Sequence, residues 1–438
     1  MKLHQLFFYL TLVLLPTQLG YHSWPAWALV LGRKIDYLSP TLFLTDITIV
    51  LTLVSFVYDE RRLLLKKLLS KASLLWMTSI FLFAFINIVF AVSPMVAFSK
   101  WLKAFEYLFF GVYIVWLKPS VKRLSLLFLI PVLYSSLLAV TQFFLQHSVG
   151  GIFWYLGERT FTIHTPGIAR FAFPFPVFGM QSAELLRPYG TFPHPNVLAG
   201  FLAVILPFVI WHYPMRVIGF RTHIFRILFF VAVSVGYAAL FLTFSRSAWI
   251  AGLIGTVIVI LMKKNIIPAV RFLSILALCL CALLALPYFR QLTSESESVS
   301  VRQDLVSSAL AMFRSSPIVG VGLGNFIVEL PEFSVTRQIF FLQPVHNIYL
   351  LFFTETGLLG IVALCFLLFM TLRNILHKDY FVITSSPRYS VSSSPRPFVA
   401  FLPLLFFLAL GAVDHYPVTL QQGQILATLL VSLFIVYR

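Results

Sequence analysis

Apolar residues in this chain come in long unbroken runs, with polar and basic residues confined to the stretches between them. The runs lie near 5–20, 40–57, 73–92, 104–117, 124–145, 197–211, 227–243, 248–262, 272–286, 346–372, 398–412 and 423–437. Segments approaching 20 apolar residues match a bilayer core of about 30 Å, so the pattern predicts twelve transmembrane helices. Residues 227–262 carry one charge, Arg246, and as a single helix would reach about 54 Å, too long for one crossing. They are therefore expected to form a hairpin turning at Ser245-Arg246-Ser247. Three long segments stay outside the spans. Residues 146–196 and 287–345 form outer loops, and 373–397, with its Ser385-Ser386-Pro387 and Ser393-Ser394-Pro395 repeats, reads as an inward linker. The expectation is an all-α integral membrane protein, one polytopic domain over residues 1–438, whose large outer loop holds short amphipathic helices.

Composition sharpens this picture. Sixty per cent hydrophobic residues, 11% charged residues, a mean hydropathy of +0.93 and 47 Phe exclude a soluble nuclease or dehydrogenase. With the N-terminus inside, 20 of the 32 Lys and Arg fall on the inner side, so topology accounts for the net charge of +17 without a nucleic-acid partner. Both termini are then cytoplasmic. Met1 to Leu19 lacks a small-residue cleavage site and reads as a first span. Cys279, Cys281 and Cys365 sit in apolar runs with no metal-ligand spacing around them, as small core residues would.

The chemistry-bearing residues gather at the outer boundary. Arg246 is flanked by Thr243, Ser245 and Ser247, a forked cation among hydroxyls that suits phosphate oxygens, although a guanidinium at a span end can also bond free carbonyls. His346 enters a helix with Asn347 and Tyr349, and Glu355 lies about 13 Å further down as an intramembrane carboxylate. Val301, Leu305, Ala309 and Met312 recur at helical spacing, an apolar face expected to rest on the membrane surface beside the charges Arg302 and Arg314. Gly320-Val321-Gly322-Leu323-Gly324 follows no strand, which makes it a tight turn in preference to a nucleotide loop. Arg187 and His194 precede Asn196, a natural cap for a helix starting at Val197, and such an N-terminus beside an Arg favours an anion. Asp414-His415-Tyr416-Pro417 and Gln421-Gln422 mark the last outward turn, either lining the same cavity or capping two helices.

Taken in order, Arg187 to Asn196, Thr243-Phe244-Ser245-Arg246-Ser247-Ala248-Trp249, Arg302 with Pro317 to Phe326, and His346-Asn347-Ile348-Tyr349-Leu350 with Glu355 to Gly360 resemble the O-antigen ligase and polymerase superfamily. The resemblance covers about residues 187–360. It implies a metal-independent, cofactor-free membrane glycosyltransferase of surface polysaccharide biosynthesis. The donor would be a glycan on undecaprenyl diphosphate, at the outer face of the cytoplasmic membrane. By matching motif, Arg246 and Arg302 would hold the diphosphate and His346 would serve the acceptor. Arg187, His194, Asn196, Asn347, Tyr349, Arg314 and Glu355 complete the expected substrate-binding set. Direct displacement would invert the anomeric centre. The acceptor stays open among a lipid core, another glycan and a protein hydroxyl. Trp154, Tyr155, Phe161, Phe171, Phe173, Phe175 and Phe178 offer an interfacial lid or sugar-stacking surfaces. Two rivals remain: a flippase for lipid-linked sugars, and a peptidoglycan-polymerising enzyme relying on Asp304.

Overall fold

The computed structural model describes residues 1–68, 71–172, 184–212, 220–262, 297–334, 342–376 and 397–437. The expected span at 272–286 with Cys279 and Cys281, the Ser-Pro repeats of the inward linker, and Phe173, Phe175 and Phe178 lie outside the described residues.

The other eleven apolar runs each fall on a helix. In chain order these are α1 (Leu3–Val13), α2 (Leu44–Leu68), α3 (Lys71–Val89), α4 (Pro94–Leu117), α5 (Val121–Leu145), α6 (Pro195–His212), α7 (Phe220–Leu242) and α8 (Arg246–Met262). Two helices of the large loop follow, α9 (Glu297–Ser315) and α10 (Phe326–Phe333). The last are α11 (Ile348–Leu376), α12 (Pro397–Gly411), the single turn α13 (Tyr416–Thr419) and α14 (Gln421–Tyr437).

Four helical segments among the described residues are long and apolar enough to cross a membrane: Val121–Leu145, Pro195–His212, Ile224–Leu242 and Ile348–Phe366. Twelve crossings are therefore not reached by this measure. The 11 residues of α1 give only about 16 Å of rise, and α14 stops after 17. The α7–α8 hairpin is present, with Phe244 in the left-handed region (φ 52°) between the helices. Phe171 stacks on the Phe244 ring at 4.1 Å, and Trp249 Nε1 donates to the Leu240 carbonyl at 2.9 Å across the turn.

Hydropathy alone does not reveal that α6 is the centre of the bundle. Sixteen of its residues are buried, and α5, α7, α8, α12 and α14 pack around it. Small residues permit the close approach: Gly252 of α8 faces Ala203, and a methyl on Gly200 would overlap the Tyr416 hydroxyl.

The segments expected to face outward meet one another at one end. Gln18 Nε2 donates to the Phe192 carbonyl, Lys100 Nζ to the Tyr37 carbonyl, and the Ser93 amide to Asn325 Oδ1. At the opposite end Lys2 pairs with Glu60 at 2.8 Å and Tyr437 Oη donates to the Pro119 carbonyl. Short antiparallel ribbons decorate the first end, β1 (Gly20–His22) with β4 (Thr41–Phe43), β2 (Leu29–Val30) with β3 (Arg33–Lys34), and β5 (Arg170–Ala172) with β6 (Glu184–Leu186).

The apolar face of α9 does not rest on a membrane surface as expected. Leu305, Ala309 and Met312 are buried in a second core with Phe326, Ile327, Val345 and Leu351. The short helix α10 and the start of α11 supply enough apolar surface to cover that stripe. Cys365 also departs from expectation, since it is exposed on α11.

The Gly-rich turn has a defined partner. Inside α11, Gly357 leaves helical geometry (φ 62°, ψ −163°), and residues 317–325 lie against the break. The Val321 and Gly322 amides donate to the Thr354 and Glu355 carbonyls, and the Leu358 and Leu359 amides donate to the Pro317 and Ile318 carbonyls. These four bonds replace those lost in the helix, the condition for irregular backbone inside a membrane bundle. Gly320, Gly322 and Gly324 all take positive φ. A methyl on Gly320 would stand 2.5 Å from the Glu355 carbonyl carbon, and one on Gly357 would stand 2.5 Å from Ile318.

Candidate functional site

A polar relay crosses the end where the loops meet. Arg187, just after β6, donates from Nε to the Thr243 carbonyl at 2.7 Å and from Nη2 to Asn196 Oδ1 at 2.6 Å. The Asn196 amide continues to Asp414 Oδ2 at 3.0 Å. Asp414 Oδ1 stands 3.7 Å from His346 Nδ1, in ion-pair range but longer than a hydrogen bond. The His346 ring lies 4.9 Å from that of His415, which contacts Thr419 Oγ1 at 2.7 Å and meets Tyr37 edge-on at 5.3 Å. Four segments remote in sequence are thus joined: the turn before α8, the start of α6, the turn before α13 and the stretch leading into α11.

Asn196 does not cap α6. Its side chain is held by Arg187 and Asp414, and His194 takes over the cap. His194 Nδ1 accepts the Asn196 amide at 3.1 Å, and its carbonyl accepts the Val197 and Leu198 amides. That role requires an imidazole with a free lone pair. Burial, followed by the neighbouring Arg187 guanidinium, pushes His194 down to about 3.

Asp414 and His415 both line the site and cap a helix. Asp414 Oδ1 accepts the His415 amide at 2.8 Å at the entry to α13. Burial alone would raise its carboxyl, but His346 above all, then the further imidazoles, hold it well below the usual carboxylate range. Burial pushes His415 down to about 4, opposed by Asp414 and reinforced by His346 and Arg302. The cluster at neutral pH is therefore one carboxylate among uncharged imidazoles at 194 and 415. His346 Nδ1 is enclosed with no hydrogen-bond partner, and its Nε2 has only the Gln343 carboxamide at 3.4 Å.

The remaining expected residues fall in three places. Arg246 opens α8, three residues after the carbonyl that anchors Arg187, and is half-buried. Arg302 is exposed on α9, yet lies near enough to lower His415. Asn347 and Tyr349 stand beside His346 but serve the backbone. Asn347 Oδ1 accepts the Tyr349 and Leu350 amides while its Nδ2 donates to the Ala412 carbonyl, and Tyr349 Oη donates to the Leu408 carbonyl. Arg314 is exposed in the last turn of α9, about 18 Å along the axis from Arg302. Glu355 belongs to the Gly-rich lock, where its Oε1 accepts the Phe326 amide at 3.4 Å.

Among the described residues, His346, Asp414 and His415 could together hold a metal ion, with ligand atoms within 4.8 Å of one another. The same trio could equally hold and pass a proton.

The fold and this site define a polytopic helical membrane protein with cationic and histidine side chains gathered at one end. Residues 231–365, under a third of the chain, match the family model described as O-Antigen ligase. No curated protein and no solved structure matches the chain. The matched stretch contains Arg246, Arg302 and His346, whereas Arg187, Asn196, Asp414 and His415 lie outside it.

Proposed function

We propose that the protein is a membrane glycosyltransferase that moves or polymerises a glycan from an undecaprenyl diphosphate carrier onto an acceptor hydroxyl, at the outer face of the cytoplasmic membrane. The observation that carries this reading is the relay joining the Arg246 turn to His346 inside a chain matching the O-antigen ligase family.

The chemistry follows from the charges. The acceptor oxygen attacks the anomeric carbon, the bond from that carbon to the diphosphate oxygen breaks, and the electron pair leaves with the diphosphate. Negative charge grows on the leaving group, and Arg246 with Arg302 stabilises it. The acceptor proton goes to His346. Asp414 faces Nδ1 and favours the tautomer protonated there, which leaves the Nε2 lone pair as the base. Closing the 3.7 Å gap to hydrogen-bond length would fix that tautomer, and such contacts often tighten only when substrate is bound. Displacement of this kind inverts the anomeric centre.

The test is glycan transfer by the purified protein in nanodiscs from an undecaprenyl diphosphate oligosaccharide, with and without EDTA, for wild type, Arg246→Ala, Arg302→Ala and His346→Ala. Transfer that survives EDTA and is lost in folded His346→Ala supports the base role. Transfer abolished by EDTA assigns His346, Asp414 and His415 to a cation instead. Lipid flipping in vesicles without turnover on any acceptor overturns the enzyme reading.

A further inference from the structure

The relay ends in three groups whose chemistry the base role does not exhaust. His346 Nδ1 is enclosed and has no hydrogen-bond partner. Asp414 spends Oδ2 on the Asn196 side chain and accepts the His415 amide on Oδ1 at 2.8 Å, with the Tyr416 amide only at 3.5 Å. Oδ1 therefore keeps capacity for a further partner, and His346 Nδ1 stands 3.7 Å away. The tautomer of His415 is set by its neighbour. The single proton of the Thr419 hydroxyl goes to the His415 carbonyl at 3.0 Å, so in the 2.7 Å contact the ring Nδ1 is the donor and Nε2 keeps its lone pair.

One ligand atom from each of these three residues lies within 4.8 Å of the other two. Two imidazoles and a carboxylate suit zinc, whereas magnesium and calcium prefer shells of oxygen. Zinc bonds of about 2.0–2.2 Å put neighbouring ligand atoms of a tetrahedral shell about 3.3 Å apart. The 3.7 Å between His346 and Asp414 is close to that spacing, and small ring rotations bring His415 in. The contacts from Thr419 to His415 and from Asn196 to Asp414 are the outer bonds that orient metal ligands. The side chains of His346 and Asp414 keep 17% and 12% of their surface open, which gives an ion a way in.

We propose that His346, Asp414 and His415 form a zinc site whose occupation switches transfer off. The inference rests on the glycosyl-transfer reading above and supplies a regulation of that same site. Without zinc, Asp414 favours the proton on His346 Nδ1, and the Nε2 lone pair takes the acceptor proton. Zinc binds Nδ1 through its lone pair, so the ring proton moves to Nε2 and the neutral ring gains or loses none. A protonated Nε2 has no lone pair for the acceptor hydroxyl, and Asp414 is drawn to the metal. The acceptor oxygen then keeps its proton, and the bond from the anomeric carbon to the diphosphate stays whole. Arg246 and Arg302 are not among the ligands, so donor binding persists.

The full-length protein in nanodiscs, freed of metal with EDTA, is titrated with Zn²⁺ in the absence of donor, since diphosphate itself binds zinc. Co²⁺ reports the ligand geometry by its visible absorption, and Mg²⁺ and Ca²⁺ serve as controls. Wild type, Asp414→Asn, His415→Gln and His346→Ala are compared. The expected result is one zinc per chain, bound at least tenfold more weakly in each variant, with no binding of Mg²⁺ or Ca²⁺. The four-coordinate Co²⁺ spectrum of wild type needs no variant and tests the site even where a substitution fails to fold. With donor and acceptor added, saturating zinc should lower wild-type transfer at least tenfold and EDTA should restore it. The residual transfer of Asp414→Asn should not respond to the same zinc. No zinc binding, binding equal in every variant, or equal inhibition of wild type and Asp414→Asn overturns this inference and leaves the transferase reading standing. Transfer that zinc raises or leaves unchanged overturns the switch. Zinc held by the trio in a protein that transfers under no condition upholds the metal site and overturns the transferase reading.

Discussion

His346 stands two residues before α11 and Glu355 inside it, nine positions further along the chain, and both are polar side chains next to an apolar run. Their surroundings differ sharply. Around Glu355 the polar groups are used up: Asn87 donates to the Val319 and Glu355 carbonyls and accepts from Trp101 and Leu323, while Asn325 accepts the Ser93 amide. Around His346 they are not, since Nδ1 has no hydrogen-bond partner and Nε2 only a long contact. Polar groups fully spent on the backbone hold a fold together, whereas enclosed groups left unspent are available to a substrate. The comparison separates architecture from chemistry within nine residues of chain.

The widest separation is expected at His346 itself. His346→Ala should lower glycan transfer by about 10²–10⁴-fold, the usual worth of a general base, with no change in melting temperature. A parallel fall in stability would move His346 to the architectural side. Gly357→Ala should do the reverse. Its φ of 62° and the 2.5 Å approach to Ile318 leave no room for a methyl, so a loss of about 2–4 kcal/mol in stability is expected, read as a lower melting temperature and poorer yield. Normal melting of that variant would show that the break in α11 is not locked.

A smaller effect tests the relay. Asp414→Asn keeps the shape and removes the charge facing His346 Nδ1, so transfer should fall about 10–100-fold, more in kcat than in KM. An unchanged rate would reduce Asp414 to a helix cap. Acidification gives a smaller change still. His194 has its folded value pushed down to about 3 from the usual 6.5, so between these limits the unfolded chain takes up a proton that the folded chain refuses. Stability is therefore complete above pH 6.5 and is lost as pH falls toward 3, and His415, pushed down to about 4, adds the same sign. Since His194 keeps some contact with solvent, a loss of about 1 kcal/mol from pH 7 to pH 5 is expected. Melting curves in nanodiscs should show it, and a His194→Asn variant, which can still cap, should flatten it.

Much of this was legible in the sequence. Eleven apolar runs fall on helices, and the hairpin turns where the lone Arg246 interrupts residues 227–262. The central place of α6 was not legible, because a helix buried among helices and one facing lipid tails need the same apolar side chains. Asn196 misled for a different reason. Its local preference is to cap, but Arg187 and Asp414 compete for its side chain from 9 and 218 residues away, and they win. Asp414 carries a signal in the sequence, a carboxylate beside a histidine at a span boundary. Its partner His346 lies 68 positions earlier, a distance no local pattern spans.

The smallest expected effect tests the comparison within α9. Arg302 and Arg314 are both exposed arginines on this helix, and by sequence either could meet a diphosphate. Arg302 lies in the electrostatic reach of His415, while Arg314 sits about 18 Å further along, in the last turn. A cation in that turn is already favoured by the carbonyl end of the helix dipole, which explains Arg314 without a ligand. Arg314→Ala should therefore leave undecaprenyl diphosphate affinity within about twofold of wild type, in line with a solvated surface charge, whereas Arg302→Ala should weaken it clearly. Equal losses in the two variants would mean that the bound carrier runs the length of α9. Its diphosphate would then meet a cationic stripe, and the tight cluster around His346 would no longer suffice to describe the donor site.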